Sequence, residues 1–223
     1  MPTPSPKAWA LAASALLTQR NGGTHDTLPD SLFKMNDQGD TRKLLGTSWG
    51  VRNRNDLLDC LKTLSTTGHR TGYNVMAAAV TRMSDKEFDD LLAKSDVTRI
   101  TVLTEMRTYC RSNFGKSIFA WDFARYINLC RWGYSAGYLS AEEAWSLIMP
   151  MARRVQKRFS SWEELGRNFL HGRLCSMPEL YMDDKTQAEA ALKFLLTDPT
   201  SPWKTIPWDL NLDEPSATSI APR

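Results

Sequence analysis

The stretch richest in usable chemistry is Ala120-Trp-Asp-Phe-Ala-Arg-Tyr-Ile-Asn-Leu-Cys-Arg-Trp-Gly-Tyr134. At about 100° per residue, Asp122 falls about 60° from Phe119 on a helix, at the margin of the stripe formed by Phe119, Phe123, Tyr126, Ile127 and Cys130. Arg125 follows three residues later, within reach of the same carboxylate. A half-buried carboxylate stays charged only with a cation or several donors around it. Arg125, Arg131 or a basic residue from another helix, such as Arg173, can supply them. The expected polar network or ligand cleft therefore comprises Trp121, Asp122, Arg125, Arg131, His171 and Arg173. As architecture it is a set of mutually neutralised charges that fixes helix register. As chemistry it is a pocket for an anionic ligand, with His171 able to titrate near neutral pH.

His171-Gly172-Arg173 ends a helix, where a cation also answers the macrodipole. His69-Arg70, after Gly68, admits the same account. Arg153, Arg154, Lys157 and Arg158 share one broad helix face and form a second candidate, a partner surface. Phosphate grip there is disfavoured, because 28 basic against 25 acidic residues leave only +3 and no stacking aromatic interleaves except Phe159, which should point inward. Nucleic acid is thus the least favoured partner.

Several chemistries are absent as motifs. There is no H-E-x-x-H, G-x-S-x-G, G-x-x-x-x-G-K-[ST], or G-x-G-x-x-G after a strand. His25, His69 and His171 have no second His or Cys at ligand spacing, so neither a metal nor another cofactor is expected. Cys60, Cys110, Cys130 and Cys175 form no C-x-x-C pair and read as core thiols of a reducing cytosol. Ala8–Leu17 imitates the apolar part of a signal peptide but lacks a basic start and a small-residue cleavage site. An amphipathic first helix from near Pro6, with Trp9, Ala13, Leu16 and Leu17 inward, explains it better. No apolar run reaches the roughly 18 residues that cross a bilayer, so the expectation is a soluble cytoplasmic protein with no membrane partner.

The elements that must position these residues are helices. Capping boxes stand at Ser84-x-x-Glu87, Ser140-x-x-Glu143 and Ser161-x-x-Glu164, each before an apolar periodic run. Asp96 to Asn113 reads as a helix by its length and the Gly115 stop, although its β-branched core Thr98–Val102 also fits a strand, and Asp184 begins a last helix that Asp198-Pro199 stops. Pro150 inside a periodic run predicts a kink or break. Asn21–Asp30, Asn36–Thr41 and Gly68–Asn74 read as loops or turns. The Trp-bearing segment Ser201–Trp208 is irregular but should dock on the body. The fold class is all-α, one multi-helix domain of about seven to nine helices over 1–212 with a disordered tail at 213–223.

The sequence also resembles a bacterial domain-of-unknown-function family, number twelve-sixty-six (YbeR/YbeU-like). The resemblance is carried by Leu44-Leu-Gly-Thr-Ser-Trp-Gly50, Gly68-His-Arg70, Ala120-Trp-Asp-Phe-Ala-Arg125, Arg131-Trp-Gly-Tyr-x-x-Gly-Tyr138, Ser161-Trp-Glu-Glu164, Gly172-Arg173 and Ser201-Pro-Trp-x-x-x-Pro-Trp208. It implies a bacterial cytosolic protein and assigns no activity. Gene neighbourhoods of some members imply a link to toxin delivery and interbacterial competition, which is an analogy only. The expected function is a helical protein-interaction protein, an immunity or accessory factor whose partner is a cognate toxin or secretion component. The alternatives are an enzyme or toxin domain acting on an anionic small molecule or nucleotide through the Asp/Arg/His cleft, and a nucleic-acid binder using the basic helix face.

Overall fold

A computed structural model describes residues 4–29, 38–113 and 115–213. Every regular element among them is helical: α1 Pro6–Ala12, α2 Ala15–Arg20, α3 Gln38–Trp49, α4 Arg54–Thr66, α5 Arg70–Arg82 and α6 Asp85–Leu92. They continue as α7 Val97–Ser112, α8 Phe119–Ser135, α9 Ala141–Arg158, α10 Trp162–Ser176, α11 Pro178–Thr197 and the single turn α12 Pro202–Thr205. Nine of these, α3 to α11, have eight or more residues.

The three capping boxes are placed where the helices begin. Ser84 and Ser140 each accept from the backbone of Glu87 and Glu143, whose side chains return the bond. Ser161 accepts from the backbone N–H of Glu164, while the Glu164 carboxylate reaches back to Ser160 instead. These exchanges satisfy donors that a helix start leaves orphaned.

Helix α8 is the axis of the molecule. It packs against α2, α3, α4, α9 and α10, and every residue from Ala120 to Gly133 is buried. A helix apolar on one stripe would show its polar face to water, so a helix buried all round must satisfy each of its charges internally. Close approach is made possible by small residues. A side chain at Gly172 on α10 would lie 2.5 Å from the Trp121 Cβ of α8, so the two backbones meet only across a glycine.

Four expectations change. Residues 9–18 are all buried, so α1 and α2, which follow one another across Ala13 and Ser14, show no polar face; burial on every side explains the resemblance of this run to a signal peptide. Pro150 does not break α9, which runs unbroken through it; the proline sits on an exposed face, where the lost backbone bond is open to water. Helix α5 starts at Arg70, so only the residues about Gly68 remain a turn, and α3 already begins at Gln38 within the expected loop. Helix α11 extends back to Pro178 and carries a non-helical residue at Asp184 (φ −120°, ψ 18°), so Asp184 marks a kink inside one helix.

The C-terminal segment docks through tryptophans. Trp9, Trp162, Trp203 and Trp208 form one aromatic cluster, with Trp162 and Trp203 stacked at 5.8 Å. The indole N–H groups of Trp9, Trp162 and Trp203 donate to the carbonyls of Trp208, Ile206 and Ala12, which ties α1 to the C-terminal segment. One apolar cluster runs from Trp9 to Leu212. The tail expected to be disordered lies outside the described residues, except Asp213.

Candidate functional site

The site grows from Asp122, which is wholly buried in the first turn of α8. Its partners come from the start of α5. The backbone N–H groups of His69 and Arg70 donate to Oδ1 and Oδ2 at 2.9 and 3.2 Å, and the Arg70 guanidinium donates to Oδ2 at 2.9 Å. Arg70 also donates to the carbonyls of Leu64 and Ser65 at the end of α4. Gly68 permits the arrangement: its φ of +57° is left-handed, and any side chain there would strike the Asp122 carboxylate. The N-terminus of α5 thus closes on an anion, as a helix start favours. Burial pushes the Asp122 carboxyl up, but the donors of His69 and Arg70 together outweigh it and hold it below its ordinary value.

Arg125 does not neutralise Asp122. Its guanidinium carbon lies 4.4 Å from the ring centre of Trp49 and 4.9 Å from that of Trp121, a double cation–π contact. One Nη1–H donates to His69 Nδ1 at 2.7 Å. Arginine is donor-only, so Nδ1 is the acceptor in that bond. His69 Nδ1 is 3.6 Å from Asp122 Oδ1, the looser of its two contacts. Burial lowers the Arg125 pKa to about 10, with Asp122 opposing the shift, so it remains a cation at neutral pH. Beside it an open groove of about 360 Å³ is lined by Trp49, Asp59, Cys60, Thr63, Leu64 and Gly68 as well as by His69 and Arg125. The Cys60 thiol is held above its ordinary value by burial and by Asp56 and Asp59, which disfavours the thiolate a nucleophile requires.

The remaining expected residues are not brought to this groove. Arg131, wholly buried, donates to Thr18 Oγ1 and to the carbonyls of Thr24, Thr27 and Leu28, and so fastens the loop after α2. Arg173 donates to Asp184 at 2.6 Å, and Arg20 donates to the same carboxylate oxygen at 2.8 Å. That carboxylate sits at the kink of α11. His171 is stacked on Tyr109 at 3.9 Å and bonded to the Tyr73 hydroxyl at 3.0 Å. Burial lowers its pKa to about 4, so it is neutral rather than poised near pH 7. The single network expected from sequence is therefore several separate clusters. Trp121, Asp122 and Arg125 share one, which Arg173 joins over the Trp121 ring at 5.9 Å while its ion pair goes to Asp184; Arg131 and His171 each belong to another.

The residues missing from that expected network are Arg70, His69 and Trp49. All three fall in the Gly68-His-Arg70 and Leu44–Gly50 blocks; the reading of His69-Arg70 as cations at a helix end holds for Arg70, which donates to the Leu64 and Ser65 carbonyls, but does not foresee the bonds to Asp122. No spacing rule links α5 to α8 across more than fifty residues.

The basic face of α9 is also rearranged. Arg153 is taken by Asp213 and the Leu212 carbonyl. Arg154 lies 5.2 Å over the Phe123 ring and Arg158 3.6 Å over Phe119. Aromatic rings do accompany these cations, then, supplied by α8 rather than by their own helix. Phe159 is buried as expected.

An all-α protein built around a buried Asp122–Arg70 pair is the class that this fold and site define. The chain belongs to the protein family of unknown function DUF1266, whose model matches residues 44–208. It is similar to two uncharacterized proteins of Escherichia coli K12. It is 26% identical to YbeU over 148 residues, 66% of this chain and 62% of the relative. It is 26% identical to YbeR over 129 residues, 58% of this chain and 55% of the relative. The matches thus span less than two thirds of either relative's length. No solved structure matches the sequence. Among the described residues no helix is long and apolar enough to cross a membrane, and no group of His, Cys, Asp and Glu is arranged to hold a metal.

Proposed function

We propose that this protein is a helical interaction module that docks an acidic surface of another protein on the exposed edge of α9. The observation that carries the reading is the pair Arg154 and Arg158. Both are exposed, neither meets a carboxylate within ion-pair distance among the described residues, and each rests over a phenylalanine ring of α8. An arginine laid flat on a ring has less conformational freedom to lose on binding, and Arg is enriched at the energetic centres of interfaces. Lys157 adds a further exposed charge on the same helix. The ionisable groups nearer the centre supply no counter-argument for turnover. Asp122 is saturated with donors, the Cys60 thiol is raised and His171 is depressed. With the gene context that the family resemblance implies, the finer role is an immunity or accessory factor of a toxin or secretion system in a bacterial cytoplasm.

Capture from host lysate with the wild-type protein and with Arg154→Glu/Arg158→Glu tests this. The expected result is one protein with an acidic patch, retained by the wild type and lost by the double variant at an unchanged melting temperature. Equal capture by both overturns the reading. So does capture that nuclease abolishes, which would favour nucleic acid instead.

A further inference from the structure

We infer that the groove between α3 and α4 beside Arg125 binds a monocarboxylate with an apolar body. Arg125 is 8% exposed, yet no carboxylate lies within ion-pair distance of it among the described residues. Its only hydrogen bond among them is the one to His69 Nδ1. None of its nitrogens is sealed without a partner, so the unused N–H groups of the fork reach the groove. A buried cation held on two indole rings, with donors left over, is prepared for an anion. The guanidinium fork matches the two oxygens of a carboxylate. Trp49, Leu64 and the neutral Cys60 thiol give the groove an apolar wall, and its volume lies in the range of small-ligand sites.

The local charge balance favours one negative charge over two. Asp122 is ion-paired with Arg70 and acts on Arg125 only from beyond ion-pair distance, which leaves Arg125 as a cation of this groove with no direct anionic partner among the described residues. Asp59 lines the same groove with no ion-pair partner among the described residues and repels a dianion. The helix N-terminus nearby is already spent, since the N–H groups of His69 and Arg70 serve Asp122. Phosphate therefore finds too few donors and a hostile rim.

The test is titration of the full-length protein with benzoate, benzamide and inorganic phosphate, following the Trp49 and Trp121 indole N–H signals by NMR. Saturable shifts with benzoate alone are expected. Arg125→Met should weaken benzoate binding roughly tenfold or more, the loss of a charge-assisted pair. Because Arg125 is buried and its replacement can disturb folding, Asp59→Asn is the second arm. It lies on the exposed rim and should tighten benzoate roughly twofold at an unchanged melting temperature. A free organic acid and the terminal carboxylate of a peptide share this chemistry. N-acetyl-alanyl-phenylalanine beside benzoate separates them, the tighter probe naming the source. The inference is overturned by no saturable shift at about 50 mM benzoate, by equal shifts with benzamide, by tighter binding of phosphate, or by benzoate affinity that ignores both substitutions. It stands apart from the α9 reading, since Arg154→Glu/Arg158→Glu leaves this groove intact.

Discussion

Asp122 and Arg70 are worth more to each other than either is to the fold. Removing one partner of a buried pair leaves a desolvated charge behind, whereas replacing both with apolar groups does not. Asp122→Ala should therefore cost about 3–5 kcal/mol in urea denaturation, and Asp122→Leu combined with Arg70→Met should cost less than the single change. A double variant as unstable as the single one contradicts the assignment. His171 sets a second expectation, in pH. Its folded pKa is lowered from 6.5 to about 4 by burial. Between those values the unfolded imidazole takes up a proton that the folded one refuses, so stability falls as acid is added through this window and rises with pH. The contribution is at most roughly 3 kcal/mol. His171→Phe, able to keep the stack on Tyr109, should flatten the stability profile between pH 6.5 and 4 relative to wild type. His25, also lowered by burial, leaves some slope in both proteins.

At the scale of the element, α9 shows how a sequence rule can hold energetically and fail geometrically. Pro150 removes a backbone donor and crowds the preceding turn. The helix nonetheless stays continuous, because its buried residues Ala144, Ile148, Met151, Ala152 and Val155 fasten it to the body on both sides of the proline. The cost is then carried as lost stability without a break in the helix. Pro150→Ala at this exposed position should raise stability by about 1–3 kcal/mol, read as an increase in urea midpoint at unchanged slope. A neutral or lowered midpoint would mean that the proline shapes α9 to fit its neighbours. Asp184 is the converse case: read as a helix start, it is the kink at which Arg20 and Arg173 converge.

Across the whole molecule, the N-terminal helices and the C-terminal segment are joined by the tryptophan cluster, and the N–H of Trp203 donates to Ala12 across 191 residues of sequence. Burial of Trp203 and its stack on Trp162 predict that Trp203→Ala costs about 3–5 kcal/mol. The half-exposed Trp145 should tolerate alanine far better. Equal losses in the two melting temperatures would deny the cluster its role. The helices themselves were legible from local signals: the Ser-x-x-Glu starts at Ser84, Ser140 and Ser161, the first two of them full capping boxes, the periodic apolar stripes and the stop at Asp198-Pro199. So were Trp121, Asp122 and Arg125 as members of one polar neighbourhood, because helical spacing fixes which side chains within a helix stand near each other. Tertiary structure alone decided which cation answers Asp122, that Arg125 faces a groove, and that phenylalanines of α8 lie beneath the arginines of α9. Those pairings join helices far apart in sequence, and their distances depend on how backbones cross at positions such as Gly172, which a one-dimensional period does not encode.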